Sequence, residues 1–197
     1  MLRKFGIIAV LSLMALALAA VPVFAKPTAT SGVHFTRGNT PTCTIVNDGT
    51  SAFTNCTSEL TGVGEGDIVV SANLSGSVVY QCQNQGGNIA PGQNKVLVGP
   101  TGSSTVVPSD QGINGRLSLP ISTSGDPLTA EPEVDFATAG CQNPNWTGVN
   151  PTLAVTEVHY SATQGTSTLF DCTATGTNLT GTIRFTDAQC GGVARFR

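Results

Sequence analysis

The chain carries few charged residues for its length. Only 11% of its 197 residues are Asp, Glu, Lys or Arg, with nine basic residues against twelve acidic ones. The basic residues are scattered, and no cluster could neutralise successive phosphates. Because phosphate contacts from Lys and Arg supply most of the affinity for nucleic acids, this distribution argues against nucleic-acid binding.

The sequence also lacks the common catalytic signatures. No Gly-x-Ser-x-Gly elbow, His-Glu-x-x-His pair or phosphate-cradling glycine loop occurs. Of the two histidines, His34 lies in a polar N-terminal segment, and His159 alternates with hydrophobic residues as a strand residue does. We therefore expect a protein that is not an enzyme and that has no metal and no cofactor.

The carboxylates that could support catalysis form two local groups. Glu65 and Asp67 lie in "GEGD", and Glu131, Glu133 and Asp135 lie in "EPEVD". A glycosidase needs two carboxylates that face each other across a cleft, and a calcium site needs several oxygens that converge. Acidic residues beside Gly and Pro favour solvated turns instead. A small secreted hydrolase remains an alternative if the two groups meet in the folded chain.

Helical spacing of apolar residues is absent along the whole chain. Short β-branched runs recur instead between turn signals, which is typical of an antiparallel sandwich or barrel. We predict an all-β, disulfide-bonded, immunoglobulin-like antiparallel β-sandwich of about ten short strands. The runs are "TCTIV", "DIVVSANL", "GSVVYQC", "KVLVG", "STVV", "RLSLPI", "EVDFAT", "TLAVTEVHYSA", "STLFDC" and "GTIRFTDA".

One of these strands contains a change of phase. In "TLAVTEVHY", Leu153 and Val155 share a parity, whereas Val158 and Tyr160 have the opposite one. A β-bulge near Thr156 and Glu157 would return both pairs to one buried face. The alternative is a strand that is buried on both faces.

The N-terminus has the pattern of a secretory signal peptide. Residues 1–25 combine a basic start, a long apolar stretch and small residues before Lys26, which predicts cleavage there and a secreted, extracellular protein. A retained membrane anchor is the alternative. We expect residues 26–40 to be a flexible segment and residues 41–197 to form one sandwich domain. Without Arg3 and Lys4, seven basic residues face twelve acidic ones, a net charge of −5.

Six cysteines lie in the mature part of the chain, and an even number in an exported protein predicts three disulfides. Metal binding would require close pairs, whereas the two nearest cysteines here are 13 positions apart. The cysteines are Cys43, Cys56, Cys82, Cys141, Cys172 and Cys190.

The pairing of the cysteines can be predicted from the turns. Asp48-Gly49 is a hairpin signal, and a connection from Asp48 to Ser51 places Cys43 opposite Cys56. A second turn near Thr177-Asn178 predicts a bridge from Cys172 to Cys190, with a loop folding back to close it. The remaining bridge, Cys82–Cys141, would tie together two loops that both begin Cys-Gln-Asn. The alternative is that Cys43 joins Cys172.

These two loops offer the best predicted binding surface. Trp146, the only tryptophan, lies among polar residues, where it could stack on a sugar ring or anchor a protein partner. We expect an extracellular binding or structural module; a ligand of such a module would be an extracellular glycan or protein, and a carbohydrate-binding module is one alternative. In the other alternative Trp146 folds back onto the core. The candidate binding residues are Trp146, Asn143, Asn145, Asn88 and Gln93.

Two segments carry a resemblance to known proteins. "GGNIAPGQN" at residues 86–94 and "CQNPNWT" at residues 141–147 resemble motifs in a group of small secreted bacterial proteins. The likeness covers roughly residues 60–160. It implies a secreted bacterial protein, and no activity is attached to that group.

Overall fold

The structure is a computed structural model that describes residues 32–196, so the predicted signal peptide lies outside the described residues. These residues form strands with one short helix and two 3₁₀ turns, and all strand pairs are antiparallel, which confirms the predicted class. The strands are β1 His34–Phe35, β2 Thr42–Asn47, β3 Ser51–Thr57, β4 Glu59–Thr61, β5 Ile68–Gln83, β6 Ile89–Val107, β7 Arg116–Ser118, β8 Ile121–Ser122, β9 Leu128–Thr129, β10 Thr147–Gln164, β11 Ser167–Thr175, β12 Gly181–Arg184 and β13 Cys190–Gly191. The helix is α1 Phe136–Ala139.

Two layers of sheet enclose the core. One layer is a long sheet in the order β13-β11-β10-β5-β6. The facing layer contains the sheet β12-β2-β3-β8, with β9 also paired to β3, and a small sheet β1-β4-β7. Only Ser58 separates β3 from β4, so the small sheet continues the facing layer. Contacts of β5 and β10 with β2 and β3 join the layers.

The alternation of side chains fixes which face of each sheet is buried. Along β5, every even-numbered residue from Ile68 to Cys82 is buried, whereas most odd-numbered ones are exposed or half-buried. The rings of Phe35, Phe170 and Tyr160 fill the core between the small sheet and the long sheet, with centroids 4.9–5.4 Å apart. The hydroxyl of Tyr160 donates a hydrogen bond to the carbonyl of Leu119.

The strands are longer and more numerous than the sequence suggested. Thirteen strands occur within residues 32–196, and β5, β6 and β10 have 16, 19 and 18 residues. The runs "DIVVSANL" and "GSVVYQC" belong to one strand, although Gly76 between them reads as a break. A Cβ atom at Gly76 would lie 2.6 Å from the carbonyl oxygen of Ala154, so this glycine permits close approach of β10 rather than a turn.

The predicted bulge in β10 is present. Its register against β5 shifts between Val155 and Glu157. As a result Leu153, Val155, Val158 and Tyr160 are all buried, each at most 2% exposed. The alternative of a strand buried on both faces does not apply, because Thr156 and Glu157 are only half-buried.

The segment 26–40 differs from the prediction where the structure describes it. Strand β1 pairs with β4, and the N–H of Phe35 donates to the carbonyl of Arg195, which ties both ends of the described chain to the small sheet. Val33 and Phe35 are each 1% exposed. Burial of these apolar side chains therefore extends the domain to residues before position 41.

The run "EVDFAT" is not a strand. Val134 forms an isolated bridge with Gly148, and the chain then turns into α1. Asp135 caps this helix by accepting hydrogen bonds from the N–H groups of Ala137 and Thr138, and Gly140 ends it in the left-handed conformation at φ 70°. Capping chemistry at both ends overrode the alternating pattern.

The three disulfides pair as predicted, although the second hairpin does not form. Strand β11 lies in the long sheet and β12 pairs with β2, so the chain crosses between layers through residues 176–180. The bridges are Cys43–Cys56, Cys82–Cys141 and Cys172–Cys190. None of these three joins the two layers as the antibody-domain bridge does, and the immunoglobulin-like connectivity stays a prediction.

Candidate functional site

The Cys82–Cys141 bridge brings both Cys-Gln-Asn loops to one end of the long sheet. The Cα atoms of the two cysteines are 5.7 Å apart. Gln83, the last residue of β5, pairs with Thr147 of β10 on one side and with Ile89 of β6 on the other. The first loop therefore lies beside Trp146, the residue before Thr147. We call the two loops, residues 83–88 and 141–146, the rim.

The repeated asparagine of the rim has the same role in both loops. The side-chain oxygen of Asn84 accepts from the N–H groups of Gly86 and Asn88, each at 2.9 Å. The side-chain oxygen of Asn143 accepts from the N–H of Asn145, also at 2.9 Å. Both are Asx turns, in which a side chain replaces a backbone acceptor. The Cys-Gln-Asn repeat is therefore a turn-forming unit behind a shared disulfide.

The predicted binding residues differ in their availability to a ligand. Asn145, Asn88 and Gln93 are exposed, whereas the side-chain oxygen of Asn143 is engaged in its turn. Trp146 is half-buried and packs against the core. Its backbone N–H donates to the carbonyl of Asn143 at 3.0 Å. The structure thus gives Trp146 a packing role on one side of the ring.

Asn94 is a rim support that the sequence did not reveal. Its side-chain amide donates to the carbonyl oxygens of Ala137 at 2.9 Å and Thr138 at 3.3 Å, so it caps the C-terminal end of α1. A Cβ atom at Gly140 would lie 2.7 Å from the side chain of Asn94. Asn94 of β6 therefore helps to hold α1 against the long sheet, where α1 contacts β5, β6 and β10.

A cleft opens next to the rim, where the edge of β10 is uncovered. Among the described residues, this edge has a gap in its backbone hydrogen bonding between Gly148 and Leu153. At one end of the gap, the N–H of Leu153 donates to the carbonyl of Gly49 at 2.7 Å. At the other end of the gap, Gly148 and Val134 exchange two backbone hydrogen bonds of 2.8 and 2.9 Å. Strand β11 does not reach this part of β10, because its last residue pairs with Glu157.

A further hydrogen bond closes the cleft into a frame. The N–H of Ala130 donates to the carbonyl of Thr50 at 2.8 Å, which links the turn between β2 and β3 to the segment after β9. The frame therefore has three sides, residues 49–50, 130–134 and 148–153, with a hydrogen-bonded contact at each corner. Binding loops anchored in this way lose little conformational entropy when a ligand binds.

The cleft, which we call the framed cleft, has a volume of about 600 Å³, within the range of small-ligand sites. Its lining combines hydroxyl, amide and carboxylate groups with apolar residues. The lining residues are Thr50, Ser51, Gln83, Thr129, Ala130, Pro132, Glu133, Val149, Asn150 and Pro151.

Asn150 has an unusual backbone conformation at the gap. Its φ is 48°, in the left-handed region that non-glycine residues seldom adopt, and asparagine tolerates that region best. Its side-chain amide donates to Oε1 of Gln81 at 2.9 Å, which fixes the conformation. The register of β10 against β5 shifts between Val149 and Thr152. Bulges that redirect side chains are frequent next to functional sites.

Acidic groups support two of the walls. The side chain of Asp48 accepts from the N–H groups of Thr50 and Ser51 and from the Thr50 hydroxyl, and these bonds hold the pKa of Asp48 below its usual value. Hydrogen bonds from the hydroxyl and N–H of Thr138 similarly lower the pKa of Asp135. Both carboxylates thus stay ionised around neutral pH.

The two carboxylate groups of the sequence lie at opposite ends of β5. Glu65 and Asp67 precede Ile68, whereas the carbonyl of Glu131 accepts a hydrogen bond from the Tyr80 hydroxyl at 3.1 Å. Twelve residues of strand separate these points, about 40 Å at 3.3 Å per residue. A glycosidase pair needs carboxyl groups about 5–10 Å apart, so these two groups cannot act together.

The histidine of β10 belongs to a separate polar cluster on the outer face of the long sheet. Nε2 of His159 lies 2.6 Å from Oδ1 of Asp171, and the Asn73 amide lies 3.4 Å from Nδ1. Within residues 32–196, no three His, Cys, Asp or Glu side chains are arranged to hold a metal ion. In the same residues, no helix is long and apolar enough to cross a membrane.

Only part of this site has a signal in the sequence. Glu133 was a candidate through its acidic group, and Asn150-Pro151 is a turn signal. Thr50, Ser51 and Thr129 carried no signal, because ordinary turn residues line the cleft only through the frame. No protein-family model matches the chain, and no curated protein matches it at a significant level.

Proposed function

We propose that the protein is a secreted, non-catalytic binding module that acts outside the cell and that the framed cleft is its ligand site. The observation that carries the proposal is the closed frame itself. It holds Thr50, Glu133 and Asn150 around one concavity by backbone hydrogen bonds of 2.7–2.9 Å, and the pairing of β9 with β3 places Thr129 beside them. Three disulfides suit an oxidising environment and rigidify the surroundings.

A carbohydrate-binding surface on the rim is the second candidate. The half-buried ring of Trp146 keeps part of its surface available, and the exposed amides of Asn145 and Asn88 lie in the same pair of loops. Aromatic rings beside amides are typical of sugar recognition. A hydrolase finds less support, because the two carboxylate groups lie at opposite ends of β5.

The test is to screen the mature protein, residues 26–197, on glycan and peptide arrays and to map any ligand by NMR. We expect signals of Thr50, Thr129 and Asn150 to shift. The variant Thr129→Trp, which places a bulky ring in the cleft, should weaken binding at least tenfold.

The control variant is Thr175→Trp, which adds the same ring at an exposed residue outside the cleft lining and should bind normally. If Trp146→Ala abolishes binding and Thr129→Trp does not, the ligand binds the rim instead. A ligand whose shifts are confined to the outer face around His159 would contradict both locations.

A further inference from the structure

We infer that the framed cleft receives a basic side chain, Lys or Arg, from an extracellular polypeptide partner. This inference rests on the proposed function and adds the chemical class of the ligand. It follows from the charge of the lining, from the arrangement of apolar and polar groups, and from the residue types that the lining lacks.

The charge of the cleft has one sign. Among the residues that line it, Glu133 is the charged one. The lining residues all come from stretches 38–94 and 117–183, which contain no Lys or Arg. Asp48, behind the wall formed by Thr50 and Ser51, adds a second negative charge close by. A cationic group would complement this field, whereas an anionic ligand would face an unpaired carboxylate.

The apolar part of the lining suits a long side chain with a charged tip. Ala130, Pro132, Val149 and Pro151 line the same cleft as Glu133. Lys and Arg bury their methylene stems on apolar surface and place the charged end among acceptors. The hydroxyls of Thr50, Ser51 and Thr129 supply further acceptors for a guanidinium or ammonium group.

The lining favours a peptide over a sugar. No aromatic residue occurs among the lining residues, so the stacking surface that sugar rings use is missing from the cleft. Trp146 belongs to the rim and packs against the core. A glycan would therefore be expected on the rim rather than in the cleft. The expected occupant of the cleft is a basic side chain.

The experiment compares two capped peptides that differ in one charge. Acetyl-Gly-Ser-Arg-Ser-Gly-amide and its citrulline counterpart have nearly the same shape, but citrulline is neutral. Each is titrated into ¹⁵N-labelled mature protein at low ionic strength. We expect the Arg peptide to shift the amide signals of Thr50, Glu133 and Asn150, and the citrulline peptide to bind about tenfold more weakly or not at all. Added salt should weaken the Arg peptide selectively.

Two variants separate the cleft carboxylate from general charge. Glu133→Gln should reduce affinity for the Arg peptide about tenfold and leave that for the citrulline peptide unchanged. Glu131→Gln makes the same change in net charge two residues away, outside the cleft lining, and should bind like the parent. Thermal unfolding of both variants checks that the fold is retained.

The outcomes distinguish this inference from the proposed function. Equal binding of the two peptides, or equal effects of the two variants, would overturn the recognition of a basic side chain. So would a neutral oligosaccharide that shifts the cleft signals when neither peptide does, and that result would leave the framed cleft standing as a ligand site. Absence of any shift at cleft residues with the Arg peptide also overturns the inference.

Discussion

At the level of single residues, the fold raises the pKa of both tyrosines. Tyr160 is fully buried, and burial raises the pKa of its hydroxyl well above the usual value; the Ser58 hydroxyl, 2.9 Å away, offsets this only in part. Burial, together with the nearby negative charge of Glu131, also raises the pKa of Tyr80. The chain contains no further tyrosine. Both tyrosines of the folded protein are therefore expected to ionise at higher pH than an unfolded tyrosine.

We predict that the tyrosinate absorbance of the folded protein rises at higher pH than that of the unfolded chain, whose tyrosines titrate near the usual pKa of 10. A pKa raised in the folded state means that the stabilising contribution is complete below pH 10 and is lost as pH rises beyond it. A spectrophotometric pH titration followed in parallel by circular dichroism checks this. A gradual tyrosinate signal centred on pH 10 in folded protein would contradict the burial of both hydroxyls.

At the scale of elements, the bulge in β10 accommodates one extra residue. Thr156 is the residue without a partner in the register between Val155–Gly76 and Glu157–Ser75. Its carbonyl accepts a hydrogen bond from the N–H of Gly176 at 2.9 Å. Removing Thr156 would restore plain alternation and leave the same side chains on the buried face.

We predict that deletion of Thr156 yields a folded protein that loses about 1 kcal/mol, the value of one hydrogen bond. Deletion of Ser161, an outward-facing residue of the same strand, should cost about 3 kcal/mol or more, because Ala162 and the buried Gln164 would turn outward. Gln164 would then lose its bonds to the carbonyls of Gly64 and Gly66. Denaturant unfolding measures the free energy of unfolding of both deletion variants. Equal losses in the two variants would contradict the bulge.

At the scale of the whole molecule, the disulfides close rings of very different size. Cys43 and Cys56 are 13 positions apart in one hairpin, whereas Cys82 and Cys141 are 59 positions apart. The longer ring joins β5 to the segment after α1 and so holds the rim together. Loop-closure entropy gives about 3 kcal/mol for the short ring and on the order of 4 kcal/mol for the long one.

We therefore predict that the double variant Cys82→Ser with Cys141→Ser melts at a lower temperature than Cys43→Ser with Cys56→Ser. Scanning calorimetry of the two variants and the parent under oxidising conditions measures the difference. The short-ring variant serves as the matched control, because it also removes one disulfide. If the variant without Cys82–Cys141 melted at the same temperature as the parent, the prediction would be wrong. The hydrogen bonds of Asn84, Asn94 and Asn143 would then be enough to hold the rim.

Much of the fold could be predicted because its signals are local. The hairpin at Asp48-Gly49 sets the register that places Cys43 opposite Cys56, and the parity change in β10 marks its bulge. Two predictions were wrong. The sequence predicts "DIVVSANL" and "GSVVYQC" as separate strands, but both belong to β5, and it predicts "EVDFAT" as a strand, but this run leads into the helix Phe136–Ala139. Gly76 has its role through the close approach of β10, which a single-sequence pattern does not contain. The Asp135 cap is local, but the alternating pattern of the run outweighed it in the prediction.

Alternation, turn chemistry and cysteine count act over a few neighbouring residues, and for that reason they were enough to specify the all-β class and the three disulfides. The half-burial of Trp146 and the existence of the cleft depend instead on tertiary packing. The framed cleft lies where three segments meet, 49–50, 130–134 and 148–153, which are up to about a hundred positions apart along the chain. Its position is set by where hydrogen bonds to the edge of β10 stop, between Gly148 and Leu153, and that depends on how the two layers pack.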